Sequence, residues 1–110
     1  MKVLETELLA AFDVDHTLII PNVNGTHELL FAGEPLRFDP VWSHIKLLKS
    51  WKERGYFVII WSHNGYKHAL NVVECLQLQE FVDLIQTKPI KHVDDMKDVE
   101  SIVGQRVWIG

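Results

Sequence analysis

The sequence is poor in cysteine and in positive charge, and it has no long hydrophobic run. Its single cysteine, Cys75, cannot form an internal disulfide, which fits a reducing compartment. The longest apolar runs, at 8–12 and 57–61, fall far short of the ~20 residues that a membrane span requires, and the first residues lack the pattern of a signal peptide. We therefore expect a cytoplasmic protein that makes no membrane contact.

The charge balance argues against a nucleic-acid-binding surface. Lysine and arginine number 11 against 15 aspartates and glutamates, a formal net charge of −4, so any affinity for nucleic acid would have to come from a partner. The contents of hydrophobic residues, 47%, and of charged residues, 24%, are typical of globular proteins. A chain of 110 residues has room for one domain, which we predict over 1–110.

Short apolar runs alternate with helical patterns along the chain. The runs at 8–12 and 56–61 are continuously hydrophobic, as is typical of strands covered on both faces, a weaker run lies at 82–85, and another at 106–109 closes the chain. Helices are predicted after Asp39-Pro40, which would supply an N-cap and a first-turn proline, after the loop 63–65, and over about 95–103. The alternation predicts an α/β fold, a single three-layer domain with a mostly parallel, Rossmann-like sheet.

One segment interrupts this alternation. Residues 18–38 contain two apolar stretches on either side of Asn24-Gly25, a dipeptide typical of hairpin turns. We therefore predict a short β-hairpin that projects from the domain after the first strand.

Polar side chains follow the predicted strands. Asp13, Asp15 and Thr17 come directly after the first strand, Ser62 ends the second and Lys88 follows the third. Each has an ordinary structural explanation, as a turn residue or a surface lysine, when taken alone. Because ligands of open parallel sheets bind beyond the carboxyl ends of the strands, the series as a whole predicts a site at that edge.

The order of these motifs resembles the haloacid dehalogenase-like superfamily of phosphate-handling hydrolases over essentially the whole chain. The family's first motif, an apolar strand followed by Asp-x-Asp-x-Thr, is matched by Phe12-Asp13-Val14-Asp15-His16-Thr17-Leu18. Its second motif, a strand that ends in Ser or Thr, is matched at Ser62. Its lysine is matched by Lys88, with Lys91 as an alternative, and its terminal acidic pair by Asp94-Asp95.

The resemblance implies a Mg²⁺-dependent phosphatase that acts through an aspartyl phosphate. Asp13 would be the nucleophile, and Asp15 would protonate the leaving oxygen and then activate water. Mg²⁺ would be held by Asp13, by the backbone carbonyl of Asp15, and by Asp94 or Asp95. Either acidic residue of that pair could instead cap the third helix.

The resemblance also implies how the phosphate is bound. Lys88 would steady the nucleophile and the transferred group, and Ser62 with the following amides would donate hydrogen bonds to phosphate oxygens. The candidate substrate-binding residues are Thr17, His16, Ser62, His63, Asn64 and His27. Relatives usually carry glycine at the position of His16. We expect most of the six histidines on the surface, with His16, His63 and His27 near the site, and the tryptophans in the core.

The resemblance further implies a capless enzyme, because positions 18–38 are too few for the separate cap domain of many relatives. Uncapped members tend to act on large substrates, or on small ones with help from a neighbouring subunit. The expected partner is a phosphorylated small molecule or macromolecule, and a homo-oligomer is compatible with the sequence.

Two other functions remain open at this point. A receiver-like signalling module also uses an acidic pair, a hydroxyl residue and a lysine, but in another order. A receiver has its acidic pair after the first strand and its phospho-acceptor on the third, whereas this sequence has Asp-x-Asp first and Asp94-Asp95 last. The second is a catalytically weak relative that binds phosphate and serves in protein interaction.

Overall fold

A computed structural model describes residue 1, residues 3–89 and the backbone of residues 107–109. The predicted third helix, Asp94, Asp95 and the alternative lysine Lys91 lie outside the described residues, and these remain predictions. Along the chain the described elements are β1 (Leu9–Asp13), β2 (Ile19–Pro21), β3 (His27–Phe31), β4 (Glu34–Pro40), α1 (Trp42–Glu53), β5 (Phe57–Ser62), α2 (Tyr66–Cys75), a 3-10 turn (Gln79–Phe81), β6 (Leu84–Thr87) and β7 (Val107–Ile109).

A parallel sheet forms the centre of the molecule. Its strand order is β6-β5-β1-β7, and every neighbouring pair runs parallel. The sequence prediction of an α/β chain with parallel strands is therefore confirmed. Because β1 lies between β5 and β7, the residues at its carboxyl end stand in the middle of the sheet edge.

Both described helices pack on the same face of this sheet. Their buried residues join the strand residues that point to that face in one cluster, whose members include Phe12, Ile60, Leu48 and Val72. The opposite face carries the buried side chains of Ala11, Ile59 and Trp61. The predicted burial of the central strands on both sides is thus observed, whereas helices are seen on one face only in the part of the chain that the structure describes.

The segment between β1 and α1 forms a second, antiparallel sheet in the order β2-β4-β3. The prediction of strands paired around Asn24-Gly25 is wrong, because β2 and β3 each pair with β4 and not with each other. The hairpin turn instead lies at Ala32-Gly33, where both residues have positive φ angles of 51° and 83°. A two-residue turn of this kind matches the right-handed twist of the strands it joins.

The start of α1 also differs from the prediction. Asp39 and Pro40 belong to β4, and Val41 precedes the helix without a side-chain cap. The Asp39 carboxylate instead accepts hydrogen bonds from Asn22 Nδ2, 2.7 Å away, and from the Thr26 N–H, 3.0 Å away. It therefore ties the Asn22–Thr26 loop to β4.

Trp42, expected in the core with the other tryptophans, lies at the surface and is 60% exposed. Tyr66 and Leu70 of α2 are also exposed, at 51% and 39%. The inward face of α2 is formed by Ala69, Val72 and Val73, at helical spacing. No helix in the described ranges is long and apolar enough to cross a membrane.

Candidate active site

The register of the parallel sheet brings the predicted site residues together. Asp13 pairs with Trp61, one residue before the end of β5, and Ser62 pairs with Thr87, one residue before Lys88. The strands end at one edge, so Asp13, Ser62 and Lys88 come from three neighbouring strand ends. Parallel pairing of the strands thus brings together three residues that are far apart in the sequence.

Asp13 and Lys88 form the ion pair at the centre of this edge. The Lys88 ammonium lies 2.9 Å from Oδ1 of Asp13 and donates a hydrogen bond to Oδ2 at 3.1 Å. The two side chains are only 18% and 21% exposed, so solvent screens the pair weakly. The ammonium also stands 6.0 Å from the centre of the Trp61 ring. Both charges are therefore held in place by the sheet.

A tight turn follows β1 and orients Asp15. The Val14 carbonyl accepts hydrogen bonds from the N–H groups of Thr17, Leu18 and Ile19. Such a turn needs a left-handed residue, and His16 has a φ of 66°. This is the conformation that glycine adopts without cost, which explains why a glycine would suit the position. Histidine tolerates it better than most residues because it is enriched in this region.

The Asp15 carboxylate is held at both oxygens. Asn64 Nδ2 donates to Oδ2 at 2.8 Å, and His68 Nε2 lies 3.2 Å from Oδ1. The hydrogen bond with His68 lowers the pKa of the Asp15 carboxyl, burial opposes this, and Asn64 and the nearby histidines lower it further. At neutral pH the Asp15 carboxyl of the free protein is therefore ionised and can accept a proton.

His68 is the site residue that sequence analysis missed. Its side chain is 2% exposed, in contrast to the surface position expected for it. Its ring packs against Phe31 of β3 with a centroid distance of 4.6 Å and an interplanar angle of 69°. A lone histidine on the apolar face of a helix gives no sequence signal of its role, because its carboxylate partner lies on another element.

Ser62 organises the loop that follows β5. Its Oγ accepts the Asn64 N–H at 3.0 Å, and its carbonyl accepts the N–H groups of Gly65 at 3.1 Å and of Lys88 at 2.9 Å. The first N–H of α2, that of Tyr66, donates to Thr87 Oγ1 at 3.0 Å. The amides of Asn64, Gly65 and Tyr66 are thus used within the protein, and Ser62 can still turn its hydroxyl hydrogen toward a ligand.

These side chains line an open cleft of about 480 Å³. The charged and polar groups stand on the side of the parallel sheet, and the antiparallel sheet contributes Pro21, Phe31 and Leu36. Seven of the predicted site residues line the cleft: Asp13, Asp15, His16, Ser62, His63, Asn64 and Lys88. The cleft therefore combines an ionic centre with an apolar wall.

Two predicted substrate-binding residues lie elsewhere. Thr17 is buried, and its carbonyl oxygen lies 2.7 Å from Nδ1 of His44. His27 packs its ring against Phe38 and Trp42, and its Nδ1 contacts the Thr26 hydroxyl. Neither residue is among those that line the cleft.

The donor set fits part of a magnesium site. Oδ1 of Asp13 is buried and accepts no hydrogen bond in the described part of the chain, although it contacts the Lys88 ammonium. Such an oxygen is a suitable ligand for Mg²⁺, which prefers carboxylates and water. Among the described residues, no group of three or more acidic, histidine or cysteine side chains is placed so that it could hold a metal ion. The acidic pair Asp94-Asp95, from which a further carboxylate was predicted, lies outside them.

Comparison of the whole chain with known proteins adds no family assignment. Neither protein-family models, nor curated proteins, nor solved structures match it.

Proposed function

We propose that this protein is a Mg²⁺-dependent phosphohydrolase of the haloacid dehalogenase-like type, which cleaves a phosphomonoester through an aspartyl phosphate on Asp13. The observation that carries the proposal is the Asp13–Lys88 pair, with both carboxylate oxygens within 3.1 Å of one ammonium, in an open cleft at the carboxyl ends of parallel strands. A carboxylate placed in this way can approach a phosphorus atom whose oxygens the same ammonium attracts.

In the first step an oxygen of Asp13 forms a bond to phosphorus, and the bond between phosphorus and the ester oxygen breaks. Asp15 gives the departing oxygen a proton, which it accepted from water in the previous turnover or takes up from solvent. A leaving group that is stable as an anion departs without a proton. Lys88 balances the negative charge of the transferred group, and the Ser62 hydroxyl donates to one of its oxygens. Positioning and electrostatics account for most of the catalysis in such transfers.

In the second step water attacks the phosphorus of the aspartyl phosphate. Asp15 accepts the proton of that water, the bond between phosphorus and the Asp13 oxygen breaks, and inorganic phosphate is released. The lowered pKa of Asp15 suits this role, because the carboxylate is already ionised at neutral pH.

Mg²⁺ would be held by Asp13, by the backbone carbonyl of Asp15 and by Asp94 or Asp95. When bound, it supplies positive charge that reduces the repulsion between an anionic nucleophile and an anionic phosphate. Lys88 contributes to the same balance from the protein side.

The antiparallel sheet would act as a flap that forms one wall of the site, in place of a cap domain. Pro21, Phe31 and Leu36 line the cleft from this side and leave it open. An open cleft admits a phosphate carried by a small molecule or by a macromolecule. A second copy of the chain could add further contacts to the substrate.

A second candidate function is phosphate binding without efficient turnover. It is favoured by one observation, which is that both oxygens of Asp15 already have partners, Asn64 and His68. Both contacts favour the ionised form of the Asp15 carboxyl, so little of the protein would hold the proton that a leaving oxygen needs.

The deciding experiment measures hydrolysis of p-nitrophenyl phosphate by the full chain with Mg²⁺ and with EDTA. We expect steady turnover that needs Mg²⁺ and is abolished in Asp13→Asn. Glu74→Gln, on the exposed side of α2, removes one carboxylate charge away from the cleft and serves as the matched control. It should retain parental turnover.

Three other results would contradict the proposal. Turnover that persists in Asp13→Asn excludes Asp13 as the nucleophile. A single stoichiometric phosphorylation by acetyl phosphate, without release of phosphate, favours a receiver-like phospho-acceptor. Binding of phosphate in calorimetry with no turnover of any ester favours the non-catalytic candidate.

A further inference from the structure

We propose that His68 is a positioning residue for Asp15, which fixes the Asp15 carboxylate in the orientation that serves the leaving oxygen of the substrate. This inference rests on the proposed function. It assigns a task to a buried polar residue that the motifs of the sequence did not include.

The contacts of His68 single it out. Its Nε2 lies 3.2 Å from Oδ1 of Asp15, while its other ring nitrogen, Nδ1, is buried and has no hydrogen-bond partner in the described part of the chain. The side chain is 2% exposed. A buried polar ring with a single polar contact stabilises the fold poorly compared with an apolar side chain of the same size. Packing alone therefore gives no reason for a histidine here.

The hydrogen-bonding capacity of the Asp15 carboxylate indicates which ring nitrogen of His68 carries a hydrogen. An ionised carboxylate only accepts hydrogen bonds, so Nε2 of His68 donates to Asp15 Oδ1. In the neutral ring Nδ1 then has a lone pair and no hydrogen, and this is the tautomer that leaves no N–H group without an acceptor. The geometry thus gives His68 one defined donor, and that donor is directed at Asp15.

The ring of His68 is itself fixed by the antiparallel sheet. Phe31, the last residue of β3, meets it edge to face at 4.6 Å, an arrangement that aromatic pairs favour. Asn64, the partner of the other Asp15 oxygen, is exposed and lies in a loop. His68 is therefore the rigid support of Asp15, and Asn64 is the adjustable one.

The two contacts leave room for catalysis. Each carboxylate oxygen can accept two hydrogen bonds, so one partner on each oxygen leaves a further lone pair for the proton of water or of the leaving group. A rotation of the carboxylate would misdirect these lone pairs. A misplacement of about 1 Å in a reacting group can lower a rate about 10²-fold.

The test compares two esters that differ in their need for an acid. The nitrophenolate of p-nitrophenyl phosphate leaves without a proton, whereas the alkoxide of glycerol phosphate needs one. We compare kcat/KM for both esters in the parent, in His68→Gln and in His68→Phe. The glutamine amide can donate close to the position of Nε2, and phenylalanine keeps the contact with Phe31 but has no donor.

We expect His68→Phe to lower kcat/KM for glycerol phosphate about 10²-fold and for p-nitrophenyl phosphate by less than about 5-fold. His68→Gln should recover most of the loss. Circular dichroism and thermal unfolding establish that each variant is folded. If His68→Phe does not fold, His68→Asn, whose shorter amide cannot reach Asp15, takes its place in the comparison.

An equal loss for both esters in a folded variant would overturn the inference, since it would indicate a general structural role. Parental activity of the donor-free variant on glycerol phosphate would overturn it as well. If the parent itself hydrolyses neither ester, the proposed function fails, and that outcome is distinct from both of these.

Discussion

The two sheets of this protein differ in burial and in what they contribute to the cleft. The central strands of the parallel sheet are buried along their length, with the pattern of β5 running from half-buried Phe57 to five buried residues. The antiparallel sheet is half exposed, and β3 alternates between half-buried and exposed residues. The parallel sheet supplies the ion pair of the cleft, and the antiparallel sheet supplies its apolar wall.

The parallel sheet supplies the charged centre of the cleft and the antiparallel sheet supplies its apolar contacts, while Ile19 and Phe38 of the antiparallel sheet also belong to the core. Loss of a core side chain or of a charged residue of the cleft should affect folding or catalysis. Loss of the cleft-lining Leu36 should affect affinity, and only weakly the fold.

The largest expected difference is in stability and uses a pair of isoleucines. Ile60 of β5 is fully buried, and Ile20 of β2 is 48% exposed. Ile60→Ala should lower the free energy of unfolding by about 2–5 kcal/mol, because it leaves a cavity in the core, and Ile20→Ala by about 1 kcal/mol or less. Urea unfolding of both variants measures this. Equal losses of unfolding free energy in the two variants would contradict the difference in packing between Ile60 and Ile20.

The next difference is in catalysis. Lys88→Met removes the cation beside Asp13 and should lower kcat about 10²–10³-fold, the usual effect of losing one charge-stabilising donor. Leu36→Ala, in the apolar wall, should raise KM a few-fold and leave kcat near the parental value. Lys52→Met serves as the matched lysine control, because Lys52 pairs with Asp83 at 2.6 Å and does not line the cleft. A comparable fall of kcat in Leu36→Ala would remove the distinction between the two sheets.

A smaller difference lies within the antiparallel sheet, at its two glycine-containing turns. A Cβ at Gly25 would stand 2.5 Å from the Phe38 backbone, so Gly25→Ala requires β4 to move and should cost about 1–3 kcal/mol. At Gly33 a Cβ meets nothing within 4 Å, and only the φ of +83° opposes it, at about 1 kcal/mol. Thermal unfolding compares the two variants. A larger loss for Gly33→Ala would mean that the hairpin turn, and not the packing of the loop on β4, maintains this sheet.

The smallest expected effect depends on pH. Because the pKa of Asp15 is lowered in the folded protein, its hydrogen bonds stabilise the fold above the ordinary carboxyl pKa, and this contribution disappears as the pH falls through the lowered value. Asn64→Ala removes one of these bonds and should cost about 1 kcal/mol at pH 7, and less in acid. Thermal unfolding between pH 7 and pH 2 measures the difference, with the exposed Asn71→Ala as control. A difference that stays constant with pH would contradict the assignment.

The parallel sheet could be predicted from the sequence because its signal is local. The continuous apolar runs predicted β1 and β5 to within one residue at each end. Gly55, which has a positive φ, lies just after the end of α1, where glycine commonly ends a helix. The edge that carries Asp13, Ser62 and Lys88 then followed from the general geometry of parallel strands.

The sequence predicted a hairpin in this segment but not the pairing of the antiparallel sheet, because the signals for that pairing are weak or misleading. β4 contains Pro35 and Pro40, which are rare within sheets, and its turn at Ala32-Gly33 is a less familiar hairpin signal than Asn24-Gly25. The role of Asp39 was misjudged for a similar reason, since its partners Asn22 and Thr26 become neighbours only after folding. His68 was missed because its carboxylate partner is 53 positions away.

The carbonyl oxygen of Ser62 joins two parts of the site. It accepts one N–H from Gly65, at the entrance to α2, and another from Lys88, after β6. The Tyr66 N–H, which donates to Thr87, adds a second link between α2 and β6. The helix that carries His68 and the backbone that carries Lys88 are therefore anchored to the same strand end.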